Sequence, residues 1–387
     1  MRKTLLQTIS ICLILTICVT MISGCGKKFE TPEGVPEIEG LEYTETVPLE
    51  YANQFAIYRY DGGYSYITVE GSENMLVVPE GGEIPNVLPS DTVVVEQPLN
   101  KIYLVATSAM ALFSAMDALD TIRFTGSKES DWHIQGAIDA LRSGSMLYAG
   151  KYSAPDYELL IDNGVQLAIE STMIYHTPEV KEKMEELGIR TVVERSSYEG
   201  HPLGRTEWIK LYGELVGRPE DAKAVFDEQV EKISGFKDLK NTGKTVAFFF
   251  VNSAGNAVTY KSKGYVPEMI RIAGGEYIPG DIGLEEENAL STLNMGMEEF
   301  YAKAKDADYI IYNIGSMGAP ISNLAQLFDK SPILEDFKAV QEGNAWCTSR
   351  SLFQETDKMG SIIRDINVIL TEEEPDPSML EYIFKLE

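Results

Sequence analysis

Histidine and cysteine are scarce in this chain of 387 residues, which carries three of one and four of the other. His133, His176 and His201 are scattered, and Cys12 and Cys18 lie inside an N-terminal apolar run, which leaves Cys25 and Cys347. No disulfide framework and no zinc-type cluster can be built from that set. Catalytic signatures are missing as well: there is no GxSxG elbow, no Walker A loop and no HExxH helix. The Gly62-Gly63, Gly81-Gly82 and Gly274-Gly275 pairs read as turn or cap signals rather than phosphate cradles. Basic residues are also few, 33 Lys and Arg against 60 Asp and Glu, for a net charge of −27. Removing residues 1–24, which hold Arg2 and Lys3 and no acid, takes that charge to −29. Such a surface argues against nucleic acid or an anionic membrane face as a partner.

What is present supports a folded protein. Apolar residues make up 44% of the chain, enough for a real core, and the length predicts two domains. Residues 1–25 read as an export signal, with Arg2 and Lys3 ahead of a largely apolar stretch from Leu5 to Met21. Ile22-Ser23-Gly24-Cys25 then resembles the lipobox of bacterial lipoproteins, which implies cleavage before Cys25 and acylation of that residue. Several acyl chains hold a protein firmly to a bilayer where a single one is marginal. Residues 1–24 are therefore expected to be a signal peptide and 25–48 a tether rich in Gly, Pro and charge. The expected location is extracytoplasmic, with a lipid anchor in the cell membrane.

One segment organises the rest. Pro219, Glu220 and Asp221 open a helix whose apolar stripe is Ala222, Val225, Phe226, Val230 and Ile233, and Gly235 follows as a cap. From Pro219 to Ser234 such a helix is roughly 24 Å long, enough to cross between domains. On both sides of it, short β-rich runs alternate with helical ones. Before it stand Lys101–Ala106, Ile122–Thr125, Val165–Glu170 and Ile189–Glu194 as strands, with helices at Ser108–Leu119, Pro155–Asn163 and Pro178–Leu187. After it the strands are Lys244–Val251, Tyr309–Tyr312 and Ala345–Cys347, and the helices Val266–Ala273, Met297–Lys305 and Lys358–Leu370. Tyr51–Tyr60, Tyr64–Glu70 and Met75–Pro79 form a β-rich entry with a hairpin turn at Asp61-Gly62-Gly63. The expected fold is α/β: two Rossmann-like lobes with parallel sheets, residues 49–217 and 237–387, bridged by a long α-helix within 218–236.

This layout behind a lipobox resembles the class III substrate-binding proteins of ABC importers. Lys101–Leu119 (KIYLVATSAMALFSAMDAL) is similar to that family's opening strand and helix, and Gly150–Glu170 to its first docking segment. Lys244–Val251 is similar to the restart of its second lobe, and Met297–Tyr312 to its second docking segment. His201–Gly217 (HPLGRTEWIKLYGELVG) resembles the wording of iron-complex binders. The resemblance implies a monomeric, non-enzymatic receptor without an obligatory cofactor, which delivers a ligand to an ABC permease and its ATPase. It implies an iron–siderophore or related ferric chelate as ligand, then a corrinoid such as cobalamin, then haem. It also implies that Glu158 docks on the permease from the first lobe and either Glu298 or Glu299 from the second.

Residues that follow strand ends are the candidates for the cleft. In the first lobe these are Ser108, Glu170, Ser171, Met173 and Tyr175, with Tyr152 at a place where relatives put an aromatic residue. The segment after Glu194 adds Arg195, Tyr198, His201 and Arg205. Guanidinium groups present paired donors to carboxylate or phosphate, and tyrosines offer flat faces with one polar handle. Asn252, Tyr260, Tyr265 and Met317 are the second-lobe counterparts. Two of these also have plain structural readings, since His201 precedes Pro202 and Gly204 as a loop-capping residue would and Met173 suits a core. Trp208 shares a helical stripe with Tyr212, Leu215 and Val216 and is expected to pack. A metal-dependent hydrolase on the same scaffold is the competing reading, and it requires carboxylates and histidines to converge in the cleft.

Overall fold

The computed structural model describes residues 34–236, 239–283, 291–314, 321–349 and 352–387. Residues 37–387 form one compact unit, and residues up to 36 belong to a separate N-terminal unit. The compact unit starts with a five-stranded sheet made of β1 (Tyr43–Thr46), β2 (Phe55–Tyr60), β3 (Ser65–Val69), β4 (Asn74–Val78) and β5 (Thr92–Glu96), in that order. The β2–β3 hairpin turns through a short helical turn at Asp61–Gly63, where Gly62 and Gly63 take positive φ.

The second sheet is wholly parallel. It contains β6 (Ile102–Leu104), β7 (Ile122–Thr125), β8 (Leu147–Tyr148), β11 (Leu167–Ser171) and β12 (Thr191–Glu194), in the order β12-β11-β6-β7-β8. Between β8 and β11, β9 (Gly150–Lys151) and β10 (Ala154–Pro155) form a small ribbon. The crossovers carry α1 (Thr107–Ala115), α2 (Gln135–Ser143), α3 (Tyr157–Asp162) and α4 (Pro178–Glu186). Chain order steps outward from β6 to β7 and β8, then returns to β11 on the other side. That reversal is the kind of place where ligands bind in open α/β sheets.

Two helices follow, α5 (Pro202–Val216) and α6 (Pro219–Lys232), joined by Gly217 at positive φ. Thirteen of the fifteen residues of α5 are buried. A helix so enclosed must satisfy its polar side chains internally. Glu207, with no exposed side-chain surface, accepts hydrogen bonds from the backbone amides of Glu50, Tyr51 and Ala52. Glu199 does the same for Asn53, Gln54 and the indole of Trp208. The chain entering the N-terminal sheet is thus strapped onto two carboxylates.

Helix α6, expected from the sequence to be the bridge, is about 21 Å long at helical rise and ends two residues earlier than its periodicity predicts. Glycines permit its close contacts on both sides. A Cβ at Gly213 of α5 would stand 2.6 Å from the Cβ of Ala222. A Cβ at Gly360 would stand 2.3 Å from the carbonyl oxygen of Gln229.

The third sheet contains β13 (Thr245–Val251), β14 (Ala257–Tyr260), β15 (Glu276–Ile278), β16 (Thr292–Met295), β17 (Tyr309–Tyr312), β18 (Ala345–Thr348) and β19 (Ile383–Lys385). Its centre, β15, β13, β17 and β18, is parallel, while β14, β16 and β19 run antiparallel at the flanks. The sequence reading anticipated the parallel centre and not these flanks. Helices α7 (Tyr265–Ile272), α8 (Met297–Ala304), α9 (Leu324–Lys330), α10 (Lys338–Gln341) and α11 (Met359–Thr371) complete it. The main hydrophobic core runs unbroken from Leu104 and Ile169 through Leu211 and Phe226 to Val246 and Ile363. No helix among the described residues is long and apolar enough to cross a membrane.

Candidate functional site

The carboxyl ends of β8, β11 and β12 gather the site. Side chains leave a sheet edge there without a following strand to cover them, so polar and aromatic groups can face outward. Tyr148 ends β8, Met173 and Tyr175 stand on the helical turn Thr172–His176 after β11, and these three are 39%, 37% and 43% exposed. Met173 and Tyr175 share the turn after β11, whereas Tyr148 lies on the edge strand β8, three strands away across the sheet. Half-buried Tyr152 lies between β9 and β10 and packs against the core under this sheet.

Arg195 and Tyr198 follow β12. The Arg195 guanidinium stacks 3.9 Å above the Tyr198 ring. Its Nη1 donates to the Tyr175 hydroxyl at 3.2 Å and to the Gly71 carbonyl at 3.4 Å, and its Nε has no partner. Gly71, on the β3–β4 turn, has a φ of +63°, and a Cβ there would meet the guanidinium at 3.2 Å. The N-terminal sheet therefore contributes a wall to this corner. Stacked and held from below, the arginine keeps donors available in a fixed plane.

Deeper in, Ser108 at the start of α1 donates to Glu194 Oε2 at 3.4 Å, and the amide of Ser196 donates to Oε1 at 2.8 Å. Burial pushes the Glu194 carboxyl above its usual range, while Ser196, Arg205 and Ser108 draw it back down. Glu170 is fully buried beneath Ser171, with neither carboxyl oxygen hydrogen-bonded. Desolvation raises its pKa to about 8, so the group is neutral at physiological pH. Ser171 itself is half-buried at the end of β11.

The remaining candidates sit elsewhere. His201 caps α5, with Nδ1 accepting from the Leu203 amide at 3.1 Å and its ring stacked 4.3 Å from Tyr51. Arg205 is 3% exposed, and its guanidinium lies 4.2 Å from the centre of the Tyr265 ring. Tyr260 and Tyr265 are both fully buried, and the Tyr260 hydroxyl accepts from Asn313 Nδ2 at 2.8 Å. These two rings fill the interior because Tyr260 sits in β14 and Tyr265 opens α7 against Arg205. Asn252 organises its own turn, accepting from the amides of Ala254 and Asn256 and donating to Asn294. Trp208 packs in the core on Phe55 and Tyr212. Cys25 and Met317 lie outside the described residues.

Three residues go unflagged in the sequence reading: Tyr148, Glu194 and Gln354. Gln354 is 3% exposed and pairs twice with backbone beyond β7, accepting from the His133 amide at 2.8 Å and donating to the Asp131 carbonyl at 2.7 Å. A charged residue closing the TVVE strand was a usable signal for Glu194; nothing local marks Gln354.

Glu158 is exposed in the first turn of α3, and Glu298 and Glu299 are exposed in the first turn of α8. Helix N-termini favour negative side chains. Among the described residues no three of His, Cys, Asp and Glu converge as a metal-binding group.

No family model matches the chain. An uncharacterized lipoprotein of Methanocaldococcus jannaschii is 26% identical over 289 residues, which cover 72% of this chain and 66% of that protein. The chain thus spans just under two thirds of that relative. A second uncharacterized lipoprotein of the same organism is 22% identical over 362 residues, 89% of this chain and 88% of that one. Among solved structures, the TroA-like periplasmic binding protein FepB from Veillonella parvula aligns with a TM-score of 0.54 at 13% identity, over 75% of this chain and 96% of that one. The periplasmic heme binding protein HutB of Vibrio cholerae gives 0.52 at 14% identity, over 68% and 96%. The fold is that of the class III periplasmic binding proteins of ABC transporters. Both of these neighbours are periplasmic binding proteins.

Proposed function

We propose that this chain is an extracytoplasmic solute-binding protein of an ABC importer, anchored through Cys25, which captures an iron–siderophore or related ferric chelate and delivers it to a permease. The lobes are residues 49–217 and 237–387, and 218–236 is the bridge. The observation that carries this reading is Arg195 held between Tyr198 and Tyr175 beyond the carboxyl ends of β11 and β12, with Met173 on the same turn as Tyr175 and with Tyr152 beyond β8 across the sheet. Flat tyrosine faces suit an aryl-bearing chelate, and a stacked guanidinium suits its anionic oxygens. Ser108, Ser171 and the neutral Glu170 supply hydrogen bonds deeper in. His201, Arg205, Tyr260 and Tyr265 serve the interior rather than the ligand, since His201 caps α5 and the other three are buried; Asn252 is the second-lobe candidate, and Met317 lies outside the described residues. A bare divalent ion fits poorly, because transition metals favour imidazole, thiolate or clustered carboxylates. Glu158 and one of Glu298 and Glu299 offer carboxylates to permease arginines.

Native mass spectrometry of the protein incubated with ferric siderophores, cobalamin and haemin tests the ligand class. Retention of a ferric chelate at one-to-one stoichiometry supports the proposal. Retention of cobalamin or haemin alone replaces the ligand and keeps the receptor, and retention of none overturns it.

A further inference from the structure

Beyond β18 the chain returns to the N-terminal half, where Leu352–Gln354 and Thr356–Lys358 lie against α1. Gln354, Glu355, Thr356 and Asp357 are all buried. Four consecutive polar residues held away from water must find partners inside the protein. Gln354 finds its own in the loop between β7 and α2, where Oε1 accepts from the His133 amide at 2.8 Å and Nε2 donates to the Asp131 carbonyl at 2.7 Å. We infer that Gln354 is an interlobe latch that positions this loop at the edge where the solute binds, an inference that rests on the two-lobe receptor reading above.

The pairing is a two-point one. A primary amide offers one acceptor and one donor group, and the loop presents a donor and an acceptor to match, which fixes how the side chain is turned. Trp132 stands between the two bonded residues, buried in the main core together with Leu352 and Met359. The loop is therefore pinned by an indole from within and by Gln354 on the backbone to either side of it. A second bond crosses nearby, since Thr206 Oγ1 of α5 donates to the Thr356 carbonyl at 2.8 Å. Neither bond involves α6, so the two halves are tied at a place other than the covalent bridge.

The latched loop belongs to the solute edge. It continues β7, whose last residue, Thr125, pairs with Tyr148 at the end of β8. Lys128, on the same loop, places Nζ 5.8 Å from the centre of the Tyr148 ring. Moving the lobes apart breaks both Gln354 bonds and leaves a buried amide without partners, which is costlier than never having made them. The latch thus resists opening and holds Lys128 beside Tyr148.

Hydrogen exchange followed by mass spectrometry on the detergent-solubilised full chain tests the latch. Gln354→Met keeps the volume and removes both bonds. Exchange should rise at least about tenfold in residues 128–134 and 352–358 together, as the loss of two ordinary hydrogen bonds implies, while β13 keeps the parent rate. Gln354→Glu should exchange like the parent when its carboxyl is protonated, since the neutral group again offers one donor and one acceptor, and faster when ionised. Gln326→Ala, which loses bonds only to Ser322 within its own lobe, should change neither segment. A rise in the loop alone, no rise, or a uniform rise that includes β13 would overturn the inference. Where the protein retains a ferric chelate, dissociation should be several-fold faster in Gln354→Met, and an unchanged rate also overturns it. Retention of no chelate defeats the receptor reading and leaves the exchange result to decide the latch.

Discussion

The guanidinium of Arg195 lies 3.9 Å above the ring of Tyr198. The pair closes the corner between β12 and the β3–β4 turn, and it joins a basic group to the most exposed aromatic edge of the parallel sheet. Arg195→Ala should weaken chelate binding by at least tenfold, roughly 1.4 kcal/mol or more. Tyr198→Ala should weaken it less, because the guanidinium retains Tyr175 and Gly71. Isothermal titration of both variants checks the order.

Glu170 gives a pH dependence of unusual sign. Its folded pKa is raised from 4.5 to about 8 by desolvation. Between those values the folded state keeps a proton that the unfolded state has lost, so stability is greatest at or below pH 4.5. It falls as pH rises, by at most about 1.4 kcal/mol per pH unit, until about pH 8. Glu170→Gln removes that slope. Thermal melts should show the variant more stable than the parent at pH 8, with the difference shrinking towards pH 5; a constant difference contradicts the assignment.

Glu207 is the buried anchor of the entering strap. Glu207→Gln turns an amide donor towards backbone donors and should cost about 2–3 kcal/mol. Urea unfolding measures this, and a change under 0.5 kcal/mol would show the strap to be held by other contacts.

Gly360 is where α11 meets the bridge. With a Cβ 2.3 Å from a backbone oxygen, Gly360→Ala must push the two helices apart. The expected destabilisation is of the overpacking kind, about 1–3 kcal/mol. Hydrogen exchange should show increased opening of α6 before it does so in β13.

Transport separates docking from binding. Glu158→Ala together with Glu298→Ala and Glu299→Ala should leave chelate affinity unchanged and lower uptake in vesicles carrying the permease and its ATPase. Lost affinity would place these carboxylates in the binding site instead.

Much of the architecture was legible because its strands are short, apolar and bounded by turns. Ile122–Thr125 and Tyr309–Tyr312 occur as read, and α4, α8 and α11 differ from the reading by a residue at one or both ends. Weaker patterns escaped. Gln135–Ser143 is a short amphipathic helix whose Ile138 and Leu141 pack on the core, and the reading passed over it; Thr292–Met295 has only its last side chain buried and shows no core periodicity. The site was legible to the level of strand ends and no deeper. Position after a strand brought Met173, Tyr175 and Arg195 to the edge, but the same rule cannot see that Tyr260 and Tyr265 turn inward. Tyr265 packs on Arg205 and Tyr260 on Phe248 and Asn313, the first and last of these contacts spanning more than fifty residues of chain. Gln354 is invisible for the same reason, since its partners lie more than two hundred residues away.

Tryptophan quenching against the chelate panel tests the central claim most directly. Trp132, Trp208 and Trp346 are all buried, so quenching has to arise by energy transfer to a bound coloured chelate rather than by contact. The account predicts saturable quenching by one ferric chelate at sub-micromolar concentration, lost in Tyr152→Ala and Arg195→Ala. Quenching that persists in both of the first two variants would place the ligand away from the carboxyl edge of the parallel sheet and contradict it.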